Sequence, residues 1–270
     1  MKDKFIVCVN ELSDVEKLKG VGVNTFLFPI VEYSIGHNTF DIVDIPSDIS
    51  SYLLINRILD CEDVDNLTLL LKEIPVHIKG IFFQDVAVFE MVQELNLDLE
   101  LIWYQNHFGT SSRIVNFWNE EGVTNCVLAT DITRLEIENI VTNSSKEVIV
   151  PVFGYVQVMY SRRKLLSNYN EHYGENLTSN IVLNEVKSDL AFIVKEDDKG
   201  SVLLNKRVYN GLSLLDLNNV RYFLIDATDI DIQKIALIIQ NPKVDVATLG
   251  IDADTGFLDK ETIYKLRSLD

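Results

Sequence analysis

Polar side chains able to do chemistry recur in this chain at one kind of place, just after short apolar runs. Gln84 and Asp85 follow residues 80–83, Gln105, Asn106 and His107 follow 99–103, Thr130 and Asp131 follow 125–128, and Gly154 and Gln157 follow 147–152. Asp85 and Asp131 are candidates for a carboxylate pair, which acid–base chemistry or a divalent ion requires. The helix N-cap is the better explanation of each. His107 is the candidate general acid or base. Ser161 is the candidate nucleophile, although no histidine stands near it in sequence to activate it. His37, His77 and His172 fall in presumed loops or before a strand and give no metal triad. Cys8, Cys61 and Cys126 are too far apart for a zinc knuckle, and their odd number suggests no disulfide framework. The residues alone therefore indicate no metal site.

Bringing such groups together is the task of the elements between them. Apolar runs of strand length occur at 5–9, 25–28, 51–56, 80–83, 99–103, 125–128, 147–152 and 221–225. Apolar residues at helical spacing occupy 13–19, 64–73, 86–95, 111–121, 133–142 and 230–239. Ser13, Asp85, Thr110 and Asp229 are the expected N-caps. This alternation predicts an α/β fold, a (β/α)8 TIM-like barrel, whose active face lies at the C-terminal ends of the strands. Asn10, Glu11, Asn56, Arg57 and Asp226 would then join the polar set. Two stretches break the rhythm. Residues 31–50 read as an excursion after the second strand, and 170–219 as a β-rich insertion. A β-hairpin is predicted there between strands 7 and 8, from runs at 190–195 and 202–207. The chain reads as a single domain over 1–270, its tail offering one more strand and a helix beginning near Asp259. No Gly-x-Gly-x-x-Gly follows the first strand, which argues against a dinucleotide-binding sheet.

Composition excludes some partners. With 41 acids against 24 bases and a net charge of −17, the mean surface potential repels phosphates, so unaided binding to a nucleic-acid backbone is disfavoured. Arg162, Arg163, Lys164, Lys206 and Arg207 are the local exceptions. The opening residues hold only a short apolar run, so a cytoplasmic protein with no membrane contact is expected.

Residues 151–169, PVFGYVQVMYSRRKLLSNY, carry a resemblance to a known family. Gly154, Tyr160, Ser161, Arg163, Leu165, Leu166, Ser167, Asn168 and Tyr169 match a signature that reads close to HGALCVAYSGRCLLSNY in the collagenase-like peptidase family U32. Supporting matches are the Gln84-Asp85 pair before a helix, the segment VNFWNEEG, the segment CVLATDITRLEI, and Thr255-Gly256-Phe257 near the end. Gln157 and Lys164 stand where the family has cysteine, Phe153 where it has histidine, and Thr130-Asp131 where it has Arg-Glu. No cysteine follows Cys126 to supply the downstream pair of ligands. The resemblance implies a short paralogue lacking the family's cysteine ligands, whose iron–sulfur cluster is absent, since neither amide nor ammonium replaces thiolate; no other cofactor is expected. It also implies an accessory or substrate-binding subunit in tRNA wobble uridine 5-hydroxylation, forming a heteromer with a cysteine-bearing paralogue and reaching tRNA through that partner. Gln84, Gln105, Asn106, Gln157, Tyr160, Arg163, Asn168 and Tyr169 are then the ligand- or partner-binding candidates. The alternative is a peptidase-like hydrolase or a barrel enzyme acting on a small carboxylate, using Asp85, His107, Asp131 or Ser161.

Overall fold

Strands rich in Val, Ile, Leu and Phe that are buried on both faces can pair in parallel only if helices cover one side. The computed structural model, described over residues 2–261, shows that arrangement. In chain order the elements begin β1 (Phe5–Cys8), α1 (Leu12–Lys19), β2 (Thr25–Pro29), β3 (Ser50–Ile55), α2 (Cys61–Lys72), β4 (Ile78–Phe83), α3 (Val86–Glu94) and β5 (Glu100–Trp103). They continue α4 (Ser112–Glu120), β6 (Asn125–Cys126), α5 (Arg134–Asn143), β7 (Val148–Gly154), β8 (Gln157–Ser161), α6 (Leu165–Tyr173), β9 (Ile181–Asn184), β10 (Ala191–Asp197) and β11 (Gly200–Asn205). The last are β12 (Val208–Asn210), β13 (Val220–Asp226), α7 (Ile232–Gln240) and β14 (Ala253–Asp254).

One curled sheet runs β14-β12-β7-β13-β1-β2-β3-β4-β5-β6, and the eight strands from β7 to β6 in this order are all parallel. Its ends approach each other. Val127, just past β6, bridges Ile149 of β7 in parallel, and the Leu128 N–H donates to the Ile149 carbonyl at 2.9 Å.

The period of two along each strand divides the apolar residues between two cores. Ile6, Leu27, Leu54, Phe82, Ile102, Val127, Ile149 and Leu224 point inward and pack on one another. Their sequence neighbours Val7, Phe28, Leu53, Phe83, Trp103, Val150 and Ile225 point outward under the helices. Tyr52 belongs to the inner set, and its hydroxyl donates to Glu100 at 2.8 Å. Arg221 closes the strand-start end of the sheet by donating to Glu100 at 2.6 Å and to Asn125 Oδ1 at 2.5 Å.

Each of the eight strand readings has its strand in the structure. The cap assignments fared unevenly. Asp85 does cap α3, accepting from the Ala87 amide at 3.0 Å. Ser13, Thr110, Asp131 and Asp229 do not cap, and α5 is capped by Thr133. The N-caps are Glu11, Ser111 and Asp231, because the cap must be the last extended residue before the helix. Where the sequence suggested one hairpin, β10 and β11 pair antiparallel inside a larger sheet ordered β8-β11-β10-β9. The tail strand is β14, and the helix expected from near Asp259 lies largely outside the described residues.

Candidate functional site

The C-terminal ends of the parallel strands open onto a cavity in two lobes. Tyr104, Asn106, Tyr155, Gln157 and Asp226 line both, Gly36, His37, Asn56 and Gln84 line one, and Thr130, Phe153 and Gly154 the other. The lobes leave about 40 and about 20 Å³ for water-sized occupants. That is room for a few waters, or for an ion with its oxygen ligand.

The walls are held by specific bonds. Asn56, buried at the end of β3, accepts from the Ile35 amide at 2.8 Å and donates to the Ile35 carbonyl at 3.1 Å, which pins the excursion after β2 across the cavity. Ser34 assists by donating to the Leu54 carbonyl at 2.5 Å. His37 is thereby carried inward, its Nε2 at 3.0 Å from Asp226 Oδ2 and its Nδ1 at 2.9 Å from the Ile35 carbonyl. Burial opposes a charge on His37, but the Asp226 carboxylate outweighs it and raises the imidazole pKa. The same burial opposes ionisation of Asp226, and His37 with Thr228 outweighs it and holds the carboxyl below the usual range. Cys8 ends β1 in register with Asp226 at the end of β13. Its thiol is pushed well up by burial and by Asp226, with Thr228 pulling the other way. Burial, together with Asp226 and Cys8, also raises Tyr104.

The residues singled out from sequence distribute between this cavity and its surroundings. Gln84, Asn106 and Gln157 line it. Gln105 stands behind, donating to the Gln84 carbonyl at 3.0 Å. His107 and Asp131 do meet, Nδ1 to Oδ2 at 3.2 Å, on the exposed rim, and His107 Nε2 contacts the Val158 carbonyl at 3.2 Å. Asp85 is committed to structure, accepting from the Leu59 amide at 2.9 Å besides its cap bond. Ser161 lies in β8, its Oγ accepting from the Arg163 amide at 3.1 Å. Tyr160 is half-buried in the same strand, while Arg163, Asn168 and Tyr169 are exposed around α6, with the Tyr169 ring tilted against that of Tyr173 at 4.6 Å between centroids. Arg162 pairs with Asp60 at 2.6 Å.

Sequence reasoning missed Cys8 and His37, and counted Asp226 only as one strand end among many. The legible signal was positional: Cys8 and Asp226 end the first and last of the eight parallel strands, and His37 sits in the excursion that follows the next strand round. It also missed β8 and α6, which the signature segment forms. Helix α6 has no side-chain cap of its own at Lys164. Glu196 of β10 takes that part, accepting from the Leu166 amide at 2.7 Å, the Ser167 amide at 3.0 Å and the Ser201 hydroxyl at 2.7 Å.

That cap sets a pH dependence. Burial opposes ionisation of Glu196, but the hydroxyls of Ser167 and Ser201 and the two amides outweigh it and lower the pKa. The stabilisation is therefore complete above the unfolded value of about 4.3 and is lost as pH falls through the lower folded value. Limited proteolysis of the 163–177 segment should accelerate over that acidic range in the wild-type chain. In Glu196→Ala it should be fast already at pH 7, with about 1 kcal/mol lost as for a missing N-cap. Equal proteolysis of the two at neutral pH would refute the cap.

The sequence model of peptidase family U32 matches residues 46–222, from β3 through the inserted sheet to β13. The chain is 26% identical over 216 residues to tRNA hydroxylation protein P2 of Bacillus subtilis (strain 168), a match covering 67% of this chain and 70% of that protein. It is 27% identical over 119 residues to tRNA hydroxylation protein P1 of the same strain, covering 44% of this chain and 28% of that one. Among solved structures, the spore cortex-lytic enzyme SleL of Bacillus megaterium QM B1551 superposes over 88% of this chain and 73% of that chain, with 11% identity and a TM-score of 0.43.

Proposed function

Because the chain belongs to peptidase family U32, we propose that it serves tRNA hydroxylation as an accessory, substrate-binding subunit beside a cluster-bearing paralogue, at the 5-position of the wobble uridine. The observation that carries this reading is the similarity to tRNA hydroxylation protein P2 along 70% of that protein's length. Similarity to both P1 and P2 of one strain supports a paired system. We read the fold as a (β/α)8 barrel, supported by the bridge from Val127 to Ile149.

The accessory role rests on the donor set. Gln157 lines the cavity and Lys164 precedes α6, and neither offers a thiolate. Of the three cysteines, Cys8 is buried in the inner core, Cys126 is buried in the outer core, and Cys61 is exposed at the start of α2. Three thiols in three environments do not fit an iron–sulfur cluster, which is held by thiolates converging on one site. The net charge of −17 favours reaching tRNA through a partner. No helix among the described residues is long and apolar enough to cross a membrane.

The hydrolase reading has one observation in its favour, the His107–Asp131 contact on the rim. Ser161 is engaged with its own turn and Asp85 with its helix cap, so the pair has no evident nucleophile.

The test is mass spectrometry of tRNA nucleosides from a strain lacking the gene, together with co-expression of the chain and a cysteine-bearing paralogue. Loss of 5-hydroxyuridine derivatives and co-purification of the two chains are expected. Unchanged nucleosides would overturn the tRNA role, and stoichiometric cluster iron in the anaerobically purified single chain would overturn the accessory one.

A further inference from the structure

We propose that Cys8 Sγ, His37 Nε2 and the Asp226 carboxylate bind one divalent metal ion of the zinc class, leaving a coordination position for an oxygen donor that faces Gln84. The inference does not depend on the role in tRNA hydroxylation.

Geometry comes first. One ligand atom from each of the three residues lies within 4.8 Å of the other two. A tetrahedral ion with ordinary zinc–ligand distances spaces its donors by roughly 3.3–3.6 Å, so small side-chain adjustments suffice. Cys8 and Asp226 come from paired positions of adjacent strands, which fixes their separation by backbone register.

The surrounding shell is oriented for coordination. His37 Nδ1 faces the Ile35 carbonyl at 2.9 Å, so Nδ1 carries a proton and Nε2 is the nitrogen turned toward thiol and carboxylate. Thr228 donates its amide to Asp226 Oδ1 at 3.0 Å, and its side chain favours the charged forms of both Asp226 and Cys8. The side chains of His37 and Asp226 are only 12% and 19% exposed. A histidine–aspartate ion pair accounts for two of these groups but not for the convergence of the Cys8 thiol on them.

A second and independent observation comes from Gln84. It is 9% exposed, lines the same lobe as His37 and Asp226, and its Nε2 is buried without a hydrogen-bond partner among the described residues. A buried amide donor left unmatched costs about 1–3 kcal/mol. An oxygen ligand on a metal at the triad would accept from it. The lobe has the size for such a ligand and for little more.

The donor set selects the ion. Thiolate with imidazole and one carboxylate suits zinc, cobalt or ferrous iron and is unsuited to magnesium or calcium, which take oxygen shells. Coordination replaces the Cys8 S–H bond with an S–metal bond and frees Nε2 of any proton, these protons leaving to solvent.

The experiment uses the full chain after chelation. Calorimetry with Zn2+ should give one equivalent bound. Titration with Co2+ should give a thiolate-to-cobalt charge-transfer band in the near ultraviolet, together with the visible bands of a tetrahedral ion. Cys8→Ser should abolish the charge-transfer band, and Thr228→Val should weaken Zn2+ binding about 10-fold, as the loss of a supporting hydrogen bond does. Absence of the band in the folded wild-type chain overturns the proposal without recourse to any variant. So does Zn2+ affinity unchanged in a folded Cys8→Ser chain, which would assign the binding to the acidic surface.

Discussion

Replacing Gly154 by alanine should cost about 4 kcal/mol of unfolding free energy, the sum of a forbidden backbone conformation and a forced overlap. Gly154 ends β7 at φ +136°, a conformation that side chains rarely adopt. An added Cβ would lie 2.6 Å from the Asp226 carbonyl oxygen and 2.7 Å from Asp226 Cβ, both firmly placed in β13. The strand cannot yield without moving the carboxylate that faces His37, so the damage should be concentrated at the cavity. Gly174→Ala is the internal comparison. Its φ of +67° is also left-handed, but an added Cβ would meet nothing within 4 Å, and the cost should stay near 1 kcal/mol, the left-handed penalty alone. Urea denaturation of both variants measures the difference. Equal costs would show that crowding against Asp226 is not what this glycine relieves.

The fold was legible because the physics that makes it is local. Runs such as FIVCV, TFLF and GIFF are too apolar to be exposed on either face, and each is bounded by residues that stop a strand, so all eight positions could be marked without a partner in view. Helix starts were blurred by a residue or two where several polar residues cluster. In ELSD, GTSS and TDID more than one side chain is chemically able to cap, and only the turn geometry selects Glu11, Ser111 or Asp231. The signature segment was recognised as a pattern of residue types, whereas its structure depends on Glu196 and Ser201, thirty or more positions away.

The candidate site was half legible for the same reason. Gln84, Asn106 and Gln157 were found because they follow strands, and strand ends in such sheets converge. Cys8 was hidden by its setting, since a cysteine inside an apolar run reads as a small hydrophobe. His37 was hidden by distance. Its place follows from Asn56 holding Ile35 at both its amide and its carbonyl, a tertiary bond that no spacing announces. Recognition of the cavity therefore depended on knowing that the first and last of the eight strands are neighbours.

Phe82→Ala should be nearly as costly, at about 4 kcal/mol, because it empties a site in the inner core that has no route to solvent. Phe82 is 0% exposed and is wedged between two tyrosines, edge-on to Tyr52 at 5.7 Å and to Tyr104 at 6.2 Å. These contacts link the two ends of the inner core. Tyr52 binds Glu100 at the strand starts, and Tyr104 forms part of the cavity wall at the strand ends. Truncation should therefore do two separable things: reduce global stability, and let Tyr104 relax downward so that the cavity deepens. Phe82→Leu keeps most of the volume and should cost only about 1–2 kcal/mol, with the wall less disturbed. Hydrogen exchange distinguishes the outcomes, since the Ala variant should lose amide protection at the end of β5 beyond its global loss and the Leu variant should not. A cost below 1 kcal/mol for Phe82→Ala would mean that the inner side chains do not support the cavity wall, and that the cavity is maintained from the outer core and the loop carrying His37 instead.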